Sequence, residues 1–196
     1  MTAKKKVILA SASPRRKELL SLIFSDFDVH PSSFDEELVP KDLCPADHVV
    51  YSARRKAAEI SEKFPEALVI GADTIVVVDD RILGKPRDPE DAIRMLRCLS
   101  GRTHQVYTGV AIAEDRVVHT ACECTDVTFR ELPEELIRRY VATGEPMDKA
   151  GAYAIQGKAS LFVTGIRGCF FNVVGLPVYR LSILLEELGH EPTFAD

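Results

Sequence analysis

The segment Leu68–Val78 reads LVIGADTIVVV, an apolar run with a carboxylate in its middle. Ile75 to Val78 are all β-branched, and such side chains pack well on the pleated surface of a strand. Asp73 lies just before them and is costly to bury unpaired. A metal ion, a partner cation or a role as general base would offset its charge. Gly71, two residues earlier, permits close approach of another backbone. The plainer alternative is a turn at the strand edge that leaves the carboxylate in water.

Around this strand the chain alternates between helical and extended patterns. Residues 7–10 form a short apolar strand that runs into Ser11-Ala12-Ser13-Pro14 and a helix over 15–23, with Ser13 as cap and Pro14 at the first position. A second helix is predicted over 45–61. Asp79-Asp80 turns the central strand back into 81–83. Asp88-Pro89-Glu90-Asp91 opens a helix that ends at Gly101, with Ala92, Met95, Leu96 and Leu99 as its apolar stripe. Residues 105–113 and 117–129 read as paired strands around Glu114-Asp115. Leu132-Pro133-Glu134-Glu135 opens a helix that stops near Gly144, residues 153–155 and 161–166 are strand-like, and 177–188 close the chain as a helix. This is α/β with a mixed sheet rather than a Rossmann alternation. No linker or repeat divides the chain, so 1–196 reads as a single domain.

Composition narrows the function classes. The 196 residues are 46% hydrophobic and 28% charged, a globular balance. A net charge of −5 argues against a protein that coats nucleic acid, though not against one that grips a small phosphorylated ligand with a few placed cations. Five cysteines without a CxxC pair suit buried thiols in a reducing compartment. The apolar run behind the basic start is too short for a signal peptide or a membrane span, and a cytoplasmic location is expected.

Several polar groups stand where chemistry would place them. Ser11 to Arg16 join a strand end to a helix start with two arginines in its first turn, a candidate anion cradle without a P-loop. Lys56 falls on the apolar stripe of Val49, Ala53 and Ile60, so it snorkels out, pairs with a charge or reaches a ligand. A snorkelling lysine would contribute little to stability. Asp35-Glu36-Glu37 supply further carboxylates in a loop, where such acids are commonly only solvated. Lys85 precedes the helix that starts at Asp88. The small residues of DKAGAYAIQG, 148–157, would let a ligand pack against backbone, and the Gln156 amide can read a base edge.

Taken in order, LASASPRRKELL, FDEE, ARRKA, GADTIVVVDDRILGKPRD, LSGRTHQVYTGVAI, DKAGAYAIQG and NVVGLP resemble the Maf family of nucleotide pyrophosphatases. The resemblance runs over nearly the whole chain, about 7–188. It implies an elongated, twisted mixed sheet flanked by helices, with two lobes around a cleft, similar to the ITPase-like house-cleaning enzymes. It implies hydrolysis of a nucleoside triphosphate to the monophosphate and pyrophosphate with Mg²⁺ or Mn²⁺, and a homodimer. By matched position, Asp73, Lys56, Lys85 and Glu36 are the expected catalytic residues. Ser11, Arg15, Arg16, Thr74 and Gln156 are the expected substrate contacts, and Glu36 and Asp73 the expected metal ligands.

The DKAGAYAIQG segment is similar to the branch acting on dTTP and UTP, with modified pyrimidine triphosphates as further expected substrates. The branch acting on 7-methyl-GTP carries an acid where Gln156 stands and an aromatic residue where Arg15 stands. A non-catalytic, nucleotide-binding regulator of cell division is the alternative expectation. It needs the cleft but not the acidic pair.

Overall fold

The computed structural model describes residues 5–191 and 193. In chain order the strands are β1 (Val7–Leu9), β2 (Asp28–Val29), β3 (Leu68–Val78), β4 (Arg81–Leu83), β5 (Thr103–Glu114), β6 (Val117–Phe129) and β7 (Val163–Arg167). The helices are α1 (Pro14–Leu20), α2 (Pro45–Lys63), α3 (Pro89–Leu99), α4 (Glu134–Val141), α5 (Phe170–Val174) and α6 (Val178–Glu187). The seven strands form one mixed sheet in the order β2-β1-β3-β5-β6-β7, with β4 paired to β3. None of the described helices is long and apolar enough to cross a membrane.

The chain divides into two compact units, and the long strands β3, β5 and β6 each contribute to both. The first holds the described residues up to Asp73, then Thr108–Glu123, and the described residues from Gly175 on. Here β1 runs parallel to β2 and to β3, with Val7 opposite Leu68 and Leu9 opposite Ile70. Ile8, Val69, Ala111 and Ala113 meet Ala53, Ala57 and Ile60 of α2 in a core made largely of small residues. Small residues let a helix lie close to a sheet. A Cβ on Gly71 would sit 2.5 Å from the carbonyl oxygen of Ala53, and one on Gly109 would sit 2.4 Å from that of Val49. Two glycines thus let the backbone of α2 rest on β3 and β5 at a separation no other residue permits.

The second unit holds Thr74–Tyr107 and Cys124–Val174. Asp79 and Asp80 both have positive φ (48° and 57°), the conformation of a two-residue hairpin turn, and they fold β4 back so that Val76 faces Leu83. Asp88 caps α3, its side chain accepting the Asp91 N–H at 2.7 Å. An aromatic cluster fills this unit's interior: the ring of Phe129 meets His104, Tyr153 and Phe162 edge-on, and Phe162 in turn meets Tyr140. Burial pulls the His104 pKa down to about 4, so the ring is neutral at pH 7, 2.8 Å from the Tyr153 hydroxyl.

Three expectations are corrected. Residues 153–155 make no sheet pairing, because the Ala154 N–H goes to the Tyr140 hydroxyl and the chain turns at once, the Gly157 N–H bonding to the Ala154 carbonyl. Leu161 and Phe162 end a short 3₁₀ helix (Lys158–Phe162), and the strand begins only at Val163. The cysteines form no disulfide, but none is fully buried: Cys44, Cys98 and Cys124 are exposed, and Cys122 and Cys169 are half-buried.

If the glycine at 71 sets the approach of α2, Gly71→Ala forces backbone against backbone, where neither side can yield cheaply. Overpacking of this kind costs about 1–3 kcal/mol. A lowered urea midpoint, together with reduced turnover, is the expected result. An unchanged midpoint would show that α2 has slack.

Candidate active site

The close seat of α2 decides where Lys56 goes. Its inward face carries Val49, Ser52, Ala53, Lys56, Ala57 and Ile60, all buried. Lys56 does not snorkel to open solvent. It is 8% exposed, and its Nζ donates at 2.7 Å to Asp73 Oδ1 and at 2.7 Å to Glu36 Oε1. Asp73 is 4% exposed, so the strand-edge alternative fails and the partner-cation alternative holds. Burying an isolated carboxylate or ammonium costs several kcal/mol, and the pairing offsets much of that cost.

Glu36 reaches the pair from the other side. It opens a short 3₁₀ helix (Glu36–Leu38) capped by Asp35, whose side chain accepts the Glu37 N–H at 2.9 Å. Its own side chain is 48% exposed, so the cluster has a buried end at Asp73 and a wet end at Glu36. The loop before it is clamped to α2. Glu59 accepts from the Ser32 hydroxyl at 2.5 Å, from the Ser33 N–H at 2.9 Å and from the Ser33 hydroxyl at 2.8 Å. The Ser32 bond, followed by one from Lys63, holds the Glu59 pKa down at about 2. Sequence reasoning missed this clamp. Its only local sign was the Glu59–Lys63 spacing of four, which is normally a surface ion pair.

The β1–α1 loop is built as expected at its cap. Ser13 accepts the Arg16 N–H at 3.4 Å, and Pro14 takes the first helical position. Ser11 is 8% exposed, and its hydroxyl accepts the Ser13 N–H at 3.3 Å and Arg16 Nη1 at 3.2 Å. Arg16 Nε also donates to the Gly175 carbonyl at 2.8 Å, tying this loop to the NVVGLP segment. Burial pulls the Arg16 pKa down, while Asp73 and Glu36, in that order, push it back up. Those two carboxylates thus act electrostatically on Arg16 as well as on Lys56. Arg15 is half-buried, and its side chain makes no hydrogen bond or ion pair among the described residues.

The remaining expected residues belong to the second unit. Thr74 follows Asp73 on β3 and is half-buried. Lys85 is exposed, and the carbonyl of Gly84 before it accepts the Gly151 N–H at 3.0 Å, which ties the Lys85 loop to DKAGAYAIQG. Gly151 has φ of 67° and its α-carbon abuts Val76, so only glycine fits there. Gln156 is exposed in the turn that Ala154 and Gly157 close.

Two carboxylates lie within hydrogen-bond reach of one cationic nitrogen, so both can face a shared cation. Among the described residues no group of three or more His, Cys, Asp or Glu side chains is gathered to hold an ion. Two hard oxygen donors without a protein cage fit Mg²⁺ or Mn²⁺, which keep several waters and take phosphate oxygens as further ligands.

The cluster thus holds a buried lysine between two carboxylates, with Arg16 of the first loop close enough to feel both. The fold has a known counterpart: over 94% of this chain and 100% of the other, the structure superposes on a HAM1 protein from Coxiella burnetii with a TM-score of 0.52 at 17% identity. The model of the Maf-like protein family matches residues 6–188, and the chain belongs to that family. Two relatives named dTTP/UTP pyrophosphatase are each 50% identical. The one from Pelotomaculum thermopropionicum matches over 188 residues, 95% of this chain and 98% of its own. That from Bacillus pumilus matches over 186 residues, 95% and 98%. A third with that name, from Thermococcus kodakarensis, is 51% identical over 186 residues, 94% and 97%.

The geometry changes what removal of Lys56 should do. With Lys56→Met, Asp73 is left as a buried charge that has lost its ammonium partner. Breaking a buried pair costs about 3–5 kcal/mol, whereas replacing both partners is often near neutral. Lys56→Met is therefore expected to lower unfolding stability in denaturant titrations, and Lys56→Met with Asp73→Asn to regain most of the loss. Additive losses in the double variant would show that the two groups are not coupled.

Proposed function

We infer that the chain is a nucleoside triphosphate pyrophosphatase that hydrolyses dTTP and UTP to the monophosphate and pyrophosphate. The observation that carries the chemistry is Lys56, held 2.7 Å from each of two carboxylates. The substrate preference rests on full-length relatives at about half identity that bear this activity in their names.

The reaction is attack of water on the α-phosphorus with pyrophosphate leaving, so negative charge grows on the leaving oxygens. Lys56, Lys85 and Arg15 are the cations assigned to that charge. Arg16, expected at the substrate, is assigned a second task as well. Its bonds to Gly175 and Ser11 make it a brace for the first loop, and its charge supports the site through space. Asp73 is assigned to orient and deprotonate the attacking water. Its attachment to a central strand gives it the fixed position such a role needs. Glu36 and Asp73 would hold Mg²⁺ or Mn²⁺, which when bound offers charge neutralisation and polarisation of a phosphoryl oxygen. Thr74 and Ser11 are assigned to substrate oxygens.

Gln156 is assigned to the base. A primary amide offers one acceptor and a donor side by side, which matches the N3–H and a flanking carbonyl of uracil and thymine. Cytosine shows an unprotonated N3 beside an amino group, and an amide held in one orientation would leave polar groups unpaired against it. Both dTTP and UTP are accepted if the 2′-hydroxyl is not read. The chain is proposed to work in the cytoplasm, a reading supported by cysteines that form no disulfide.

A panel of nucleoside triphosphates with Mg²⁺ or Mn²⁺, scored for pyrophosphate release, tests the reading. dTTP and UTP are expected to lead, CTP and purine triphosphates to trail. Asp73→Asn should lower kcat by about 10²–10⁴-fold, the usual contribution of a positioned acid or base. A purine or CTP preference would contradict the substrate assignment, and near-normal kcat in Asp73→Asn would remove that carboxylate from the chemistry. Nucleotide binding without pyrophosphate release would favour the regulator instead.

A further inference from the structure

Gln156 can discriminate bases only if its amide keeps one orientation, and an exposed turn does not ordinarily supply that. The turn bearing it is closed by a single backbone bond, Gly157 N–H to the Ala154 carbonyl at 2.9 Å. What stands under it is a pair of side chains with no part in the chemistry described above. Tyr140, on α4, is 4% exposed and packs its ring edge-on against Phe162, with 5.0 Å between centroids. Its hydroxyl donates to Glu145 Oε1 at 3.0 Å and accepts the Ala154 N–H at 3.3 Å. The same carboxylate accepts the Lys158 N–H, at 3.0 Å through Oε1 and 3.2 Å through Oε2. One Tyr–Glu pair therefore holds the turn at its first residue and again just past its last.

The glycine at 157 belongs to the same device. Its φ of −100° is open to any residue, so conformation does not require glycine there. A Cβ at that position would lie 2.4 Å from Glu145 Oε1, so glycine is needed to let the carboxylate lie against the turn. Tyr153, Ala154 and Ile155 are buried, and Gln156 alone of the four points its residue to solvent. The floor is fixed from below and the reading group is left at the top.

We propose that Tyr140 and Glu145 are positioning residues that set the pyrimidine selectivity of the enzyme by holding the Gln156 turn in one conformation. The proposal rests on Gln156 as the base contact. The pair is bonded to the turn and has no assigned part in the phosphate chemistry, so it acts on the ratio of kcat/KM for UTP over CTP more than on kcat for UTP. UTP and CTP differ only at the N3 and C4 edge, which makes that ratio a readout of edge recognition.

The test is a double-mutant cycle on that ratio. Tyr140→Phe removes the donor to Glu145 and the acceptor for the Ala154 N–H while keeping the ring against Phe162. It is expected to lower the ratio by about tenfold, the worth of a hydrogen bond to a charged group, with kcat for UTP within about threefold of wild type, as ordinary context dependence allows. In a Gln156→Ala background, where the ratio is already low, Tyr140→Phe should change it no further.

Three more variants guard against simple misfolding. Glu145→Gln keeps an acceptor oxygen and should retain most of the ratio, while Glu145→Leu should lose it. Gly157→Ala pushes only the flexible end of Glu145 aside and should lose it as well. If Gln156→Ala lowers the ratio but Tyr140→Phe and Gly157→Ala leave it intact, or if the losses add, the positioning role is overturned and the base contact stands. If Gln156→Ala leaves the ratio unchanged, the base contact itself falls, and this proposal with it.

Discussion

The site depends on one ammonium group between two carboxylates. Lys56 is held where its charge cannot be solvated well, and Asp73 is held where its own cannot. Each is tolerable only because the other is 2.7 Å away. That arrangement exists because α2 lies unusually close to the sheet. The closeness follows from Gly71 and Gly109, which present no side chain to the helix backbone. From two missing methyl groups the chain obtains a charged cluster on the inward face of a helix. At Glu36 that cluster keeps one end exposed.

Around this centre stands a supporting structure of charged and polar side chains. Glu59 clamps the serines that lead into the Glu36 segment, Arg16 braces the first loop to Gly175, and Ser11 is bonded to both its own turn and Arg16. In the second unit the same logic uses an aromatic interior. His104 and Tyr153 are bonded to each other inside it, and Tyr140 reaches from it to the turn of Gln156. A site that positions reacting groups to fractions of an ångström needs such a second layer, since loops alone hold position poorly.

How much of this was legible depended on whether the signal was local. The Asp88 and Ser13 caps, the Asp79-Asp80 hairpin and the apolar stripe of α2 are each written in a few consecutive residues, and each is found where it was expected. Asp73 and Lys56 announced themselves because each broke an apolar pattern. The strand-like reading of 153–155 fails because its backbone is bonded to the Tyr140 hydroxyl and turns at Gly157 while Tyr153 packs in an aromatic cluster, and periodicity cannot tell such burial from a sheet. Glu36 was ambiguous among three loop acids, since only the cap from Asp35 and the reach of Lys56 single it out. The clamps by Glu59 and by Tyr140 with Glu145 reach segments 13 to 27 residues away, and a single sequence does not mark those partners. The family resemblance supplied the expected roles; the geometry shows Lys56 paired with Asp73 and Glu36, and Arg16 bonded to Gly175 and Ser11.

The central claim is that Lys56 is held between Glu36 and Asp73, the two carboxylates proposed to hold a divalent ion. It is tested most directly by Mn²⁺ titration of nucleotide-free protein, read by electron paramagnetic resonance. Even with water's dielectric constant, an ammonium and a divalent ion about 5 Å apart repel by about 1.7 kcal/mol, more than a factor of ten in affinity. Lys56→Met should therefore bind Mn²⁺ at least about tenfold more tightly than wild type, and the gain should vanish when Asp73→Asn is added. Equal or weaker Mn²⁺ binding by Lys56→Met, in folded protein, would contradict the account.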